Sequence, residues 1–258
     1  MRTNLIPNKP LPVKKEETAT ATATSDSMLD MVIAFDTTGS MSSYLGAVRE
    51  HCTDLVPKLL ASNPDMRIGI VAFGDYCDME GKNRFGSAYQ VLPLTTNKEE
   101  IIDFIKNAER TGGGDGDEFY ELVIKKITEE TDWREGATKA VLLIADADPH
   151  EVGYSYRNIV KNAQIDWREE AKKAAEKGIK FDTLSIHGTP WYRELSDMTN
   201  GIYAPFRSSE KTAQVVEASV LSKVVATSGA FKATMNSVML SGDSEMKAVY
   251  TAYSKEVL

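Results

Sequence analysis

Three apolar runs in this chain each lead into an aspartate at or just beyond their carboxyl end. Leu29-Asp30-Met31-Val32-Ile33-Ala34-Phe35 ends at Asp36, Ile68-Gly69-Ile70-Val71-Ala72-Phe73 at Gly74-Asp75, and Ala140-Val141-Leu142-Leu143-Ile144-Ala145 at Asp146. Nearly continuous apolar runs of this length suit strands buried on both faces, and such strands belong to parallel sheets covered by helices. Between the runs, apolar residues recur at helical spacing: Leu45, Val48, Cys52, Leu55, Val56 and Leu59, then Ile101, Ile102, Phe104, Ile105 and Ala108, then Phe119, Leu122, Val123 and Ile127. A helix from about Ala163 to Lys177, stopped by Gly178, leads into a strand over Ile179 to Ile186. A short helix over Trp191 to Met198, a short strand over Gly201 to Ala204 and a helix over Thr212 to Val225 complete the pattern. Alternation of this kind predicts a mostly parallel α/β sheet with helices on both faces. Ala88 to Leu92 reads as a hairpin partner at its edge.

The flanks differ. Residues 1–27 carry Pro7, Pro10, Pro12 and a Thr/Ala alternation, with little apolar side chain to offset ordering entropy, and read as a flexible tail or a short docking peptide. The stretch from Ala226 to Leu258 is open to three readings: a helix packed on the sheet, a terminal strand pair, or a partner-binding extension. The organisation expected is therefore a tail over 1–27, a domain over 28–225 and an extension over 226–258.

A net charge of −8 disfavours non-specific binding to nucleic acid or anionic membranes, both polyanions. No apolar run approaches the roughly 20 residues of a membrane-spanning helix. The two cysteines, Cys52 in a predicted helix and Cys77 in a loop, are expected as free thiols, and the expected compartment is the cytoplasm.

The chemistry is concentrated in three loops at what should be one edge of the sheet, where doubly wound folds bind ligands. Asp36-Thr37-Thr38-Gly39-Ser40-Met41 places a carboxylate and two hydroxyls at alternate positions, Asp36, Thr38 and Ser40. Hard divalent cations take oxygen ligands, and one carboxylate with two hydroxyls leaves such an ion underneutralised and open to an anionic ligand. Thr111-Gly112-Gly113-Gly114-Asp115-Gly116-Asp117-Glu118 offers Asp115 or Thr111 as a further ligand, with Asp117 or Glu118 complementing the dipole of the next helix. Asp146-Ala147-Asp148-Pro149-His150 offers Asp146, directly or through water. D-x-T-x-S alone is common by chance. Following a buried strand and joined by two further loops in order, it is much more specific.

The first loop resembles the metal-ion-dependent adhesion site (MIDAS) of the von Willebrand factor A family, in its D-x-T-G-S form; Thr111 to Asp115 resembles that family's second loop in the variant with a glycine run followed by Asp, and Leu143 to His150 resembles its third loop, especially in the alpha-kinase-linked branch. The resemblance covers roughly residues 28–225. It implies a doubly wound, Rossmann-like, mostly parallel six-stranded sheet with one antiparallel edge strand. It also implies Mg²⁺ or Mn²⁺, with Ca²⁺ less fitting, in the top crevice, and a protein partner whose Glu or Asp carboxylate completes the shell. The usual second-loop ligand is a Thr, whereas here the glycine run ends in Asp115, so Thr111 and Asp115 both stand as candidates. The remainder after residue 225 is too short for an alpha-kinase catalytic domain, and kinase activity is not carried over.

Other candidates have structural and functional readings. His51 reads as structural. His150 and His187 either make structural hydrogen bonds or contact a ligand at the site. Asp75, Asp78 and Glu80 form either a solvated loop or a rim for a partner or second cation. Trp133 and Trp167 read as packing anchors, Trp191 as a residue of an exposed loop, and Tyr154 and Tyr156 as exposed recognition residues. Two other functions compete. A haloacid dehalogenase-type phosphohydrolase or phosphotransferase needs a second Asp two residues after the first, and Thr38 stands there. A metal-free scaffold sits poorly with Asp36, Thr38 and Ser40 all present. The expected protein is a binding module and not an enzyme.

Overall fold

The computed structural model describes residues 27–79 and 87–257. All but Ser27 of the expected N-terminal tail, and Glu80 of the acidic loop, lie outside the described residues. The apolar runs form strands: β1 (Leu29–Asp36), β2 (Met66–Phe73) and β5 (Thr138–Ala145), joined by β3 (Tyr89–Thr95), β7 (Ile179–Ser185) and β8 (Tyr203–Pro205) in a six-stranded sheet of order β3-β2-β1-β5-β7-β8. Every pair is parallel except β2 with β3, where Val71 opposes Val91 and Phe73 opposes Tyr89. Strand order reverses beside β1, which pairs with β2 on one side (Asp36 opposite Phe73) and β5 on the other (Phe35 opposite Ile144). That reversal opens the crevice at the carboxyl ends of β1 and β5.

Successive strand residues point to opposite faces, so the continuous apolar runs supply two cores. Met31, Ile33, Phe35, Leu142 and Ile144 face one; Val32, Ala34, Val141 and Leu143 face the other. The first is covered by α1 (Ser42–Ser62), α2 (Lys98–Asn107) and α6 (Thr212–Ser222), the second by α3 (Tyr120–Glu130), α4 (Trp167–Glu176) and α5 (Pro190–Met198). Burying each of these large aliphatic side chains contributes about 1.5–3 kcal/mol. The helix expected from Ala163 begins instead at Trp167, because the Asp166 side chain accepts from Arg168 N at 2.9 Å and caps it there. Trp191 lies in α5 and is buried, not in an exposed loop. Cys52 and Cys77 are free thiols.

The C-terminal stretch forms two helices, α7 (Ser228–Leu240) and α8 (Ser244–Val257). The second joins the main core through Met246, Val249, Tyr250 and Tyr253, and packs on α6 and β8. A buried ionic knot fixes it: Lys223 Nζ lies 2.6 Å from Asp182 Oδ2 on β7 and 2.7 Å from Glu256 Oε2 on α8.

Candidate metal centre

The strand β1 delivers Asp36 to the crevice fully buried, and the following turn folds back on it. Thr38 donates to Asp36 Oδ1 twice, from its backbone N at 2.8 Å and its hydroxyl at 2.7 Å. The Ser40 hydroxyl lies 3.3 Å from that of Thr38, on an exposed residue at the start of a short 3-10 turn that runs into α1. The turn therefore gathers the Asp36, Thr38 and Ser40 oxygens, as short polar side chains that bond their own backbone commonly do. Asp36 Oδ2 accepts from the Tyr120 phenol at 2.6 Å, and the phenol oxygen in turn accepts from Ala147 N at 3.3 Å. Tyr120, fully buried in the first turn of α3, thus ties the first loop to the third. Asp146 is buried beside them, its Oδ2 3.7 Å from Nε2 of the exposed His187.

The glycine loop is divided between two places. Thr111 is held to the first loop: its N donates to Thr37 O at 3.1 Å and its hydroxyl lies 3.0 Å from that of Thr37. This contact needs Gly74, since a Cβ there would collide with the Thr111 side chain. Asp115 faces elsewhere, accepting from the Tyr154 phenol at 2.8 Å and grouping with Asp75 and His150. Asp117 and Glu118 do not cap α3, whose N-cap is Phe119. They form β4 (Asp117–Glu118), paired in parallel with β6 (Asp148–Pro149). Glu118 is buried with one carboxylate oxygen unpartnered.

The electrostatics are one-sided. Burial pushes the Asp36 carboxyl up to about 6, against hydrogen bonds from Tyr120 and Thr38 and with reinforcement from Asp146. Burial, followed by the charges of Asp36, Asp75, Asp78 and Asp115, pushes Glu118 up to about 10. Among the described residues no lysine or arginine forms an ion pair with Asp36, Asp146 or Glu118. A buried carboxylate is stable when it is neutralised, paired or bound to a metal.

Residues 30–219, well over half of the chain, match the family model of the von Willebrand factor type A domain. The chain belongs to that family. Its sheet, with the single antiparallel pair, is the fold of the family's solved members. The pilus adhesin SpaC of Lactobacillus rhamnosus GG, in an open conformation, aligns with 78% of this chain and 30% of its own at a TM-score of 0.58 and 16% identity. Proximal thread matrix protein 1 of the mussel byssus, in a form with a zinc-occupied MIDAS motif, aligns with 76% of this chain and 48% of its own at a TM-score of 0.54 and 16% identity. Likeness at this identity establishes the fold. A putative ariadne-like RING finger protein of Acanthamoeba polyphaga mimivirus is 24% identical over 194 residues, 69% of this chain. This chain spans only 18% of the length of that relative.

The crevice of this von Willebrand factor type A domain fits a hard divalent ion. Its donors are carboxylate and hydroxyl oxygens, and its buried negative charge has no lysine or arginine against it among the described residues. Sequence reasoning missed Tyr120, because its phenol matters only through a contact 84 positions away. Of the two readings of Asp75, a solvated loop or a rim for a partner or second cation, the solvated one does not hold, since Asp75 is fully buried. His150 is buried 2.6 Å from it, and Tyr154 is half-buried, stacked on the His150 ring at 3.6 Å between centroids. Their proximity in sequence to the third loop was the one available signal.

Proposed function

We propose that this domain is a metal-dependent protein-binding module that uses one divalent cation, Mg²⁺ or Mn²⁺, to engage an acidic side chain of a partner. The observation that carries this reading is Asp36: a fully buried carboxylate beside Asp146, with the Thr38 and Ser40 hydroxyls and no lysine or arginine in an ion pair with it among the described residues. In this assignment Asp36, Ser40 and Asp146 hold the ion with Thr38. Thr111 closes the side of the crevice through Thr37, and Asp115 is left to a different cluster. When bound, the cation supplies a Lewis-acidic centre with a position open to a carboxylate. The chain's own residues do the rest. Tyr120 fixes the orientation of Asp36, the Thr38 amide and hydroxyl hold its other oxygen, and exposed Ser40 and His187 stand at the rim where a partner would arrive.

The position two residues after Asp36 is Thr38, which cannot act as the acid of a dehalogenase-type phosphatase, so binding is favoured over turnover. The third loop supports a relation to the alpha-kinase-linked branch of the family. Two free thiols support a reducing, cytoplasmic setting. No helix among the described residues is long and apolar enough to cross a membrane.

The test is a Mn²⁺ titration of the full chain by calorimetry. Wild type should bind one ion in an Asp36-dependent manner, and Asp36→Ala should lose it. Equal Mn²⁺ affinity in both proteins refutes the ligand assignment, and partner capture unchanged by EDTA refutes metal-mediated binding.

A further inference from the structure

A second cluster lies on the same edge of the sheet and is not used by the proposed adhesion site. Asp75 follows β2, Asp115 closes the glycine run, and His150 follows β6. Their ligand atoms lie within 4.8 Å of one another. Asp75 and His150 are buried, and His150 Nε2 lies 2.6 Å from Asp75 Oδ1. We propose that Asp75, Asp115 and His150 form a separate metal site that takes a transition dication of the Zn²⁺ class.

The surroundings are those of a built site. The His150 ring packs against two aromatic rings, Tyr154 stacked at 3.6 Å and Tyr76 at 5.5 Å between centroids, which themselves lie 5.9 Å apart. The Tyr154 phenol that covers the ring also donates to Asp115 Oδ2 at 2.8 Å, so one residue orients two of the three ligands. Groups that aim ligands in this way are the usual companions of metal-bound imidazole. Asp75 is fixed at its other oxygen by Cys77 N at 3.2 Å. Asp78 holds the neighbouring backbone, accepting from Asp75 N at 3.0 Å and from Gly112 N at 2.8 Å.

An independent observation points to a missing positive charge. Glu118 is 5% exposed, and its Oε2 has no hydrogen-bond partner. Its other oxygen sits against Gly113, where a Cβ would come within 2.8 Å of it. Gly113 N in turn donates to Asp78 Oδ2 at 3.3 Å, so the Glu118 carboxylate lies between the first loop, where Asp36 acts on it most strongly, and the acidic turn that carries Asp75 and Asp78. A plain His–Asp ion pair would supply a single positive charge to Asp75, Asp115 and Glu118 together, where a dication supplies two.

The donor chemistry selects the ion. Imidazole with carboxylates suits zinc and its transition-metal neighbours, whereas Mg²⁺ and Ca²⁺ prefer oxygen alone. Tetrahedral zinc at about 2.0–2.1 Å sets its ligand atoms roughly 3.4 Å apart, so His150 Nε2 and Asp75 Oδ1, now at 2.6 Å, must part by about 0.8 Å, and the most distant pair must close by at most about 1.5 Å. Asp115, exposed on a glycine-rich loop, is the ligand free to make that movement.

The test uses the full chain and Zn²⁺ alone, with affinity measured by competition against a chromogenic chelator and imidazole ligation read by zinc-edge X-ray absorption. Asp115→Asn should weaken the imidazole-ligated site at least tenfold, His150→Gln should remove the imidazole signal, and Asp36→Ala should keep it. Circular dichroism checks folding; Asp115→Asn, a change on an exposed loop, decides the matter if His150→Gln unfolds. The proposal is overturned if Asp115→Asn binds zinc as wild type does. It is equally overturned if the imidazole signal disappears with His187→Gln or with Asp36→Ala instead. Those results leave the Asp36-dependent Mn²⁺ site standing, so the two assignments fail separately.

Discussion

Lys223→Met should cost this domain about 3–5 kcal/mol, a large loss for a side chain remote from the crevice. The Lys223 ammonium is fully buried between Asp182, also fully buried, and Glu256, at 2.6 and 2.7 Å. Methionine fills the same volume but carries no charge. Asp182 would keep only the Ser219 hydroxyl at 2.9 Å and Ile202 N at 3.0 Å. Removing one partner of a buried pair leaves an uncompensated charge, and this typically costs about 3–5 kcal/mol. At about 2–4 °C per kcal/mol for a domain of this size, the melting temperature should fall by about 6–20 °C. Burial opposes the lysine's charge, but Asp182 and Glu256 outweigh it and raise its pKa above the ordinary value. The contribution is therefore complete below the ordinary lysine pKa and is lost as pH rises through the raised one. Calorimetric melts of wild type, Lys223→Met and the double variant Lys223→Met/Asp182→Asn give the answer. The double variant should recover part of the loss, because the stranded carboxylate is gone. A single variant within about 3 °C of wild type, or a double variant less stable than the single, would refute the reasoning.

Three further outcomes follow from the described contacts. Asp30 is buried and receives Arg67 Nε at 2.9 Å, Arg67 Nη2 at 2.8 Å and Arg134 N at 2.8 Å. Burial raises its carboxyl, but these donors win and hold it below the usual range. Its contribution is thus present above the ordinary Asp pKa of about 4 and lost as pH falls through the depressed value, so Asp30→Asn should flatten the acid limb of a stability–pH curve followed by urea unfolding. Tyr120→Phe frees Asp36 Oδ2 and Ala147 N together, and calorimetry should show Mn²⁺ affinity about 10–100-fold weaker with the fold retained. Gly74→Ala should destabilise by about 1–3 kcal/mol in thermal melts, because its Cβ meets the Thr111 side chain and lies 2.6 Å from Asp78 Oδ2.

What could be read in advance was what short-range pattern determines. The apolar runs state which strands are buried on both faces, and β1, β2 and β5 follow them closely. The first loop was legible because Asp36, Thr38 and Ser40 act within one turn. Residues that act across the fold left no such mark. Tyr120 sits in a helical stripe whose other members are ordinary core. The burial of Asp75 depends on His150, 75 positions later, and on the aromatic rings above it. Asp115 and Thr111 could not be separated, because a run of glycines leaves the direction of the loop open and only the contact with Thr37 settles where Thr111 goes. The C-terminal helices stayed open to other readings, since α7 buries only Phe231 fully and leaves Met235, Val238 and Met239 partly buried, and the stripe of α8 does not itself say what it packs on.

The small ladder of β4 and β6 couples movements that would otherwise be independent. Asp117 is registered to Asp148 and Glu118 to Pro149, so the glycine loop is stapled to the segment between Asp146 and His150. A ligand that tugs on either loop drags the other, and with it an acidic side chain from each of the two clusters. Amide exchange across these four residues should then slow or quicken in concert when either cluster is filled, so that the rim behaves as one jaw with two teeth.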